Sequence, residues 1–462
     1  MRNIIFWLNK GYKDKSIKYK DKGQKTSMAN KFSNNIIEDF VQAVWQHLWF
    51  DIKGLQTVDG KDIQIIKTGH LNRNSGPDFS EAMIEIDGIK WAGNVEIHTK
   101  SSDWKIHGHQ RDTAYNNVIL HVVLYHDADI QTANSNTIPV LELYKRINPA
   151  YIEKYKYLIA QEQSIPCKDL VYKVPELERT QWLERLISER LEYKSRGIFT
   201  LLAQTQSHWE QVFYITLASN FGFHVNKQPF EQLAFNLPLS ISGKHKINKL
   251  QIECLVFGVA GLLEESIIED VYYNSLQKEF IHLKNKYQLK PMDASQWRFM
   301  RTRPSNFPSI RLAQFADLIY KSSHLFSKIL EINNIKTLYT LIDVEANEYW
   351  KSHFKFGDSA NNSQTHLGSQ AADIIIINTV APILFAYGKY KNEQQYIDRA
   401  LDFLVQLKSE KNSIITLWEK YGIKAAHASD SQALLHLKNV YCDYKKCMNC
   451  SWGRLFIKNS PQ

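Results

Sequence analysis

Cysteine is scarce in this chain: five residues in 462. So few thiols over such a length exclude a disulfide-framework scaffold, and a reducing, cytoplasmic setting is expected. Long apolar runs are missing too. A membrane-spanning helix needs about 18–20 consecutive apolar residues, and the nearest stretch, Ile374–Tyr387, is broken by Asn378 and Pro382. No membrane partner is therefore expected. The N-terminus carries charge but no apolar stretch followed by a small-residue cleavage site, so export is not expected. There is no internal repeat, which excludes solenoids, and no His-Glu-x-x-His spacing to mark a zinc protease helix.

What is present fits an ordinary globular protein: 44% hydrophobic and 23% charged residues. The length suggests two domains rather than one. The net charge of +9 is unevenly distributed. Residues 1–27 hold eight basic and two acidic residues, so +6 lies there and only +3 in the rest of the chain. Residues 1–29 read as a basic, disordered tail by their low hydrophobicity. Such an arm is also of the kind that contacts nucleic acid.

Residues 30–147 read as an α/β domain. Ile37, Val41, Val44, Trp45, Leu48 and Trp49 fall at helical spacing between Asn34 and Phe50. Ile63–Ile66 and Phe79–Ile86 have strand character, and Asp87-Gly88 marks a hairpin into a third strand, Ile89–Lys100. The polar stretch Asp103–Asn117 is helix-compatible, and the apolar run Val118–Tyr125 predicts a buried strand. The order helix, three strands, helix, strand implies an α+β fold with one mixed sheet. From 148 to 462 amphipathic helical patterns dominate, including Leu177–Tyr193, Trp209–Asn220, Ile252–Leu263, Ile310–Ile332 and Tyr396–Leu407. Within them, Arg301 to Pro308 reads as a structured loop whose arginines, with Arg311, are assigned structural roles in preference to phosphate contacts.

Chemistry concentrates around residues 78–115. Alternation along a strand places Asn94, Glu96, His98 and Lys100 on one face and Val95, Ile97 and Thr99 on the other. Gly76-Pro77-Asp78 opens the neighbouring strand, so the carboxylates of Asp78 and Glu96 are expected to face each other and to suit Mg²⁺ or Mn²⁺. Asp103, His107, His109, Gln110, Asp112 and Tyr115 follow, and six of the sixteen histidines lie within residues 70–126.

Pro77-Asp78, then Glu96 on the next strand, resembles the PD-(D/E)XK nuclease superfamily, with Glu38 on the first helix as its outer acidic ligand. His98 occupies the position of that superfamily's lysine, and Lys100 lies on the same strand face. The resemblance implies a restriction-endonuclease-like fold. In it Asp78 and Glu96 would bind Mg²⁺ or Mn²⁺, and His98 or Lys100 would orient the attacking water. His109, Gln110 and Tyr115 would position the phosphate of a DNA or RNA substrate. A longer resemblance rests on Gly76-Pro77-Asp78-Phe79, Val95-Glu96-Ile97-His98, Ser101-Ser102-Asp103-Trp104 and the Arg-x-Arg-Pro-x-Asn-Phe-Pro phrase. These are similar to domain-of-unknown-function family 2851, of Bacteroidetes-type proteins, which implies no particular activity.

Two other readings stay open. His98, His107, His109 and His121, with Asp78 or Asp112, would bind Zn²⁺ in a histidine-rich hydrolase. Alternatively the fold binds nucleic acid or protein without catalysis. Separately, Cys442, Cys447 and Cys450 fall within nine residues near the C-terminus. With Cys167, or His436 as the alternative fourth ligand, they are expected to hold zinc or an iron–sulfur cluster. Cys254 reads as an ordinary buried thiol.

Overall fold

The computed structural model describes residues 38–264, 269–300, 306–359 and 365–459. The basic segment 1–27, the start of the first helix, and Arg301 and Arg303 of the loop phrase lie outside the described residues. The chain divides into two compact units. One comprises the described residues to Glu162 together with Lys446 to Asn459, and the other runs from Gln163 to Lys445.

The first unit is built on a seven-stranded mixed sheet. A helix, α1 (38–46), leads into β1 (Leu55–Gln56), β2 (Asp62–Lys67), β3 (His70–Leu71), β4 (Phe79–Ile86) and β5 (Ile89–Lys100). The sheet order is β1-β2-β4-β5-β6-β7, with β3 at the edge of β4; β6 is Val118–Tyr125 and β7 is Val140–Glu142. β2, β4 and β5 pair antiparallel, whereas β5–β6 and β6–β7 are parallel. The Asp87-Gly88 turn follows from chemistry: both residues have positive φ, 48° and 78°, as a tight primed hairpin turn requires. β6 is buried from Val118 to Leu124, as a strand with parallel neighbours on both sides must be.

Both faces of β5 are covered over its second half: Val95, Ile97, Glu96, His98 and Thr99 are all buried. The polar face therefore lies inside the unit, roofed by a segment whose Trp104 and Tyr115 join Val118, Val123 and Val140 in one apolar cluster. That roof corrects the expectation of a helix over 103–117. The helix α2 (Asp103–Ile106) lasts one turn, and two 3₁₀ turns follow at His109–Arg111 and Thr113–Tyr115. Gly108 stops the helix by adopting φ +80°, the left-handed region that glycine enters without strain. Asp112 then caps the second turn by accepting the Ala114 N–H at 2.9 Å. Periodicity alone reports polar, helix-compatible residues and is blind to such interruptions.

Helix α3 (Pro149–Ala160) and the C-terminal helix Ser451–Lys458 belong to this unit, whereas the sequence reading gave both to the helical domain. Tyr155 of α3 stacks on Phe40 of α1 at 5.0 Å, and the Lys154 ammonium donates to the Asn459 carbonyl at 2.9 Å. An amphipathic pattern identifies a helix but does not say which core its apolar side joins.

The second unit is helical; among its described residues the only strands are the hairpin His353–Lys355 and Asp358–Ser359. Its longest helix spans Glu176–Gln204. The run expected as one helix over Ile310–Ile332 is two, Pro308–Lys321 and Leu325–Glu331, because His324 turns the chain at φ 54°. Ser369–Lys391 is long and apolar enough to cross a membrane, but 78% of its most apolar window is buried as a core helix. Arg311 is buried, donating to Gln314 and Asn306, in keeping with a structural role.

The roof turn gives a stability prediction. No atom lies within 4 Å of a Cβ added at Gly108, so only its φ resists substitution. Gly108→Ala should destabilise the first unit by about 1–2 kcal/mol. Gly108→Asn should lose less, because asparagine tolerates this region. Equal losses in chemical denaturation would contradict a conformational origin.

Candidate functional site

Gly76 delivers the first carboxylate. Its φ of +101° turns the chain into Pro77-Asp78 just before β4 begins. Because Phe79 pairs with Val95 across the antiparallel ladder, Asp78 stands opposite Glu96. The two residues grip each other's strands: the Asp78 N–H donates to Glu96 Oε2 at 2.9 Å, and the Ile97 N–H donates to Asp78 Oδ2 at 3.1 Å. A bulge between Phe79 and Ala82 follows at once, with Glu81 at φ 57°. Bulges of this kind commonly re-aim side chains beside functional sites.

Helix α1 brings a third carboxylate. Burial, first, and then the neighbouring charges of Asp78, Glu96 and Asp103 push the Glu38 carboxyl up to about 8. Asp78 is pushed up to about 7 by burial and by Glu96, against the opposing effect of a Gln42 hydrogen bond. Burial raises Glu96 to about 8. Gln42 was not foreseen from sequence, yet its position was legible: it lies four residues after Glu38, on the same helix face.

On the other side of Glu96 lie imidazoles. Glu96 Oε1 is 3.2 Å from His109 Nε2 and 3.6 Å from His98 Nε2. His98, fully buried, uses both ring nitrogens: Nδ1 meets His121 Nε2 at 2.8 Å, and Nε2 meets His107 Nδ1 at 3.0 Å. Register explains the first contact, since Glu96 pairs with His121 and His98 with Val123 across the parallel β5–β6 ladder. Desolvation and the neighbouring imidazoles hold His98 far below the usual histidine range. The fully buried His121 is pushed down to about 3 by the same kinds of cause. His109 is buried between Tyr115, stacked at 3.8 Å, and the edge of Trp104 at 5.3 Å.

The remaining expected residues are placed differently. Lys100 is exposed at the end of β5; its backbone N–H donates to Asp103, and its charge acts on Asp127. Asp112 is exposed and occupied as a cap. Tyr115 serves as packing under His109, and burial raises its phenol above the usual range. Gln110 keeps a buried Oε1 without a hydrogen bond. Among the sulfurs, Cys447 and Cys450 are buried in the first unit, whereas Cys167 and Cys442 belong to the second. No disulfide joins any of the five. His436 Nε2 lies 3.7 Å from the Glu189 carboxylate, which also accepts from Tyr441 at 2.6 Å. Cys254 is fully buried, as expected.

Residues 38–413 match the family model described as "Protein of unknown function (DUF2851)". No curated protein and no solved structure matches the chain.

The clustered groups set a pH dependence. Carboxyls raised in the folded state keep protons that the unfolded chain has already lost, so their contribution to stability falls as pH rises towards their folded values. The buried histidines oppose this below about pH 6.5, where the unfolded chain gains protons that His98 and His121 refuse. Above that point, within this cluster, the carboxyls are left as the groups that lower stability with rising pH. In chelator, stability should therefore fall between about pH 6.5 and pH 8, and Asp78→Asn should flatten the slope. A Tm that rises across this window would contradict the cluster.

Proposed function

We propose, for a chain that belongs to the DUF2851 family and takes no assigned activity from it, that the first unit is a metal-dependent nuclease hydrolysing phosphodiester bonds in DNA or RNA. The observation that carries this reading is the convergence of Asp78 and Glu96, each held by a backbone N–H beside the other, with Glu38 nearby. Burial first raises all three carboxyls, Glu96 adds to the rise of Asp78, and both add to that of Glu38. Gathered carboxylates repel, and a hard divalent cation is the natural relief. The order α1, β2, β4, β5, α2, β6, with two antiparallel pairings and then a parallel one, is the order that the PD-(D/E)XK resemblance implies. It supports a restriction-endonuclease-like reading of the fold.

The donor set suits Mg²⁺ or Mn²⁺, which Asp78 and Glu96 would hold, with Glu38 behind them. When bound, such a cation polarises a scissile phosphate and acidifies water. The chain's own residues do the rest. The Ile97 N–H holds one oxygen of Asp78, and the Asp78 N–H holds one of Glu96, so each carboxylate is fixed in orientation. His98 stands where the resemblance has lysine. Burial keeps it neutral, so it orients a hydrogen-bonded group but contributes no positive charge. Lys100, exposed at the end of β5, is the weaker candidate for that place.

Mn²⁺ or Mg²⁺ should stabilise the protein, by about 2.7 kcal/mol at a hundredfold excess over Kd. The same ions should support cutting of a DNA or RNA panel. Asp78→Asn should abolish cutting while the chelated variant remains as stable as the parent or more so. Wild-type protein that neither gains stability from these ions nor cuts any nucleic acid would instead favour a non-catalytic nucleic-acid- or protein-binding fold.

A further inference from the structure

We infer that His98, His107 and His109, together with Glu96, form a second cation site, suited to a borderline metal such as Zn²⁺. The nitrogens that these three imidazoles offer all lie within 4.8 Å of one another. His98 Nε2 and His107 Nδ1 are 3.0 Å apart, Glu96 Oε1 and His109 Nε2 3.2 Å, and Glu96 Oε1 and His98 Nε2 3.6 Å. Donor atoms around a tetrahedral zinc, with bonds near 2.0–2.1 Å, are separated by about 3.3 Å. These three separations bracket that spacing, and the remaining imidazole pairs lie within 4.8 Å.

A second observation points the same way. His109 Nε2 is shut off from solvent and makes no hydrogen bond, although it is aimed at Glu96. A buried ring nitrogen left in this state is disfavoured unless it serves as a ligand. His98 is held as metal-bound histidines usually are. Its other nitrogen, Nδ1, meets His121 Nε2 at 2.8 Å, which fixes the ring and leaves the Nε2 lone pair for an ion. His107 is exposed, so the cluster has a way in from solvent.

The site differs in chemistry from the carboxylate cluster. Imidazoles select zinc, cobalt and their neighbours, whereas carboxylates select magnesium and manganese. Glu96 stands between the two, with Oε2 committed to Asp78 and Oε1 to the imidazoles. The ligand set also differs from the one expected from sequence. His121 orients His98 instead of binding, and Asp112 caps a turn.

Co²⁺ is the probe, because tetrahedral cobalt absorbs intensely in the visible and octahedral cobalt only weakly. Titrating Co²⁺ into the metal-stripped full-length protein should give the tetrahedral spectrum at about one equivalent, and Zn²⁺ should displace it. His109→Ala and His107→Gln should each abolish that spectrum; the second is an exposed position, which guards against a folding artefact. His121→Ala should weaken binding by about tenfold to a hundredfold. Asp78→Asn should retain the spectrum. A weak octahedral spectrum, or one unchanged in both histidine variants, overturns the site. The outcome is separable from the nuclease reading. Protein that cuts nucleic acid without a tetrahedral cobalt spectrum overturns this inference alone, and a tetrahedral spectrum in protein inert towards nucleic acid upholds it.

Discussion

Asp78 and Glu96 are each held by a backbone N–H from the other's strand, at 3.1 and 2.9 Å respectively. The pairing fixes the register of β4 on β5, and in doing so it forces two carboxyl groups together where little water reaches them. Everything else in the site is arranged around that constraint. Glu38 and Gln42 approach from α1, one adding a further carboxyl and the other a hydrogen bond that partly compensates. The imidazoles of His98 and His109 approach from the opposite side of Glu96. A fold that spends stability on such a cluster retains a place where a cation changes the balance. Positive charge favours the ionised form of carboxyls that burial, and for Asp78 and Glu38 also neighbouring carboxylates, have raised.

The sheet was legible in the sequence because its signals are local. Alternation in Phe79–Ile86, the Asp87-Gly88 turn and the unbroken apolar run of Val118–Tyr125 each report a backbone preference within a few residues, and the structure has those strands at those bounds. The short strands β1, β3 and β7 carry two or three residues each and present no period to read. The roof over the polar face was misjudged for the opposite reason. Its composition suits a helix, but Gly108 and Asp112 break it into turns, and those turns set His107 and His109 at different heights around His98.

At the site, the facing of Asp78 and Glu96 followed from strand parity and the Pro77-Asp78 opening. The engagement of His98 by His121 did not, because it depends on a parallel register between segments 23 residues apart. Lys100 shows the limit of parity. It shares the strand face of Glu96 and His98, but β5 reaches solvent at that end and the residue is exposed. Unit membership was least legible of all. α3 and the C-terminal helix look like the helices of the second unit, and only the stacking of Tyr155 on Phe40 and the Lys154 bond to Asn459 place them with the sheet.

The most direct measurement is the anomalous scattering of manganese in crystals of the full-length protein grown with Mn²⁺. A single peak shared by the carboxylates of Asp78 and Glu96, absent in Asp78→Asn crystals, is the predicted result. Manganese bound only elsewhere, or no peak at saturating Mn²⁺ with the two carboxyl groups unchanged, would contradict the central claim that their convergence is built for a cation.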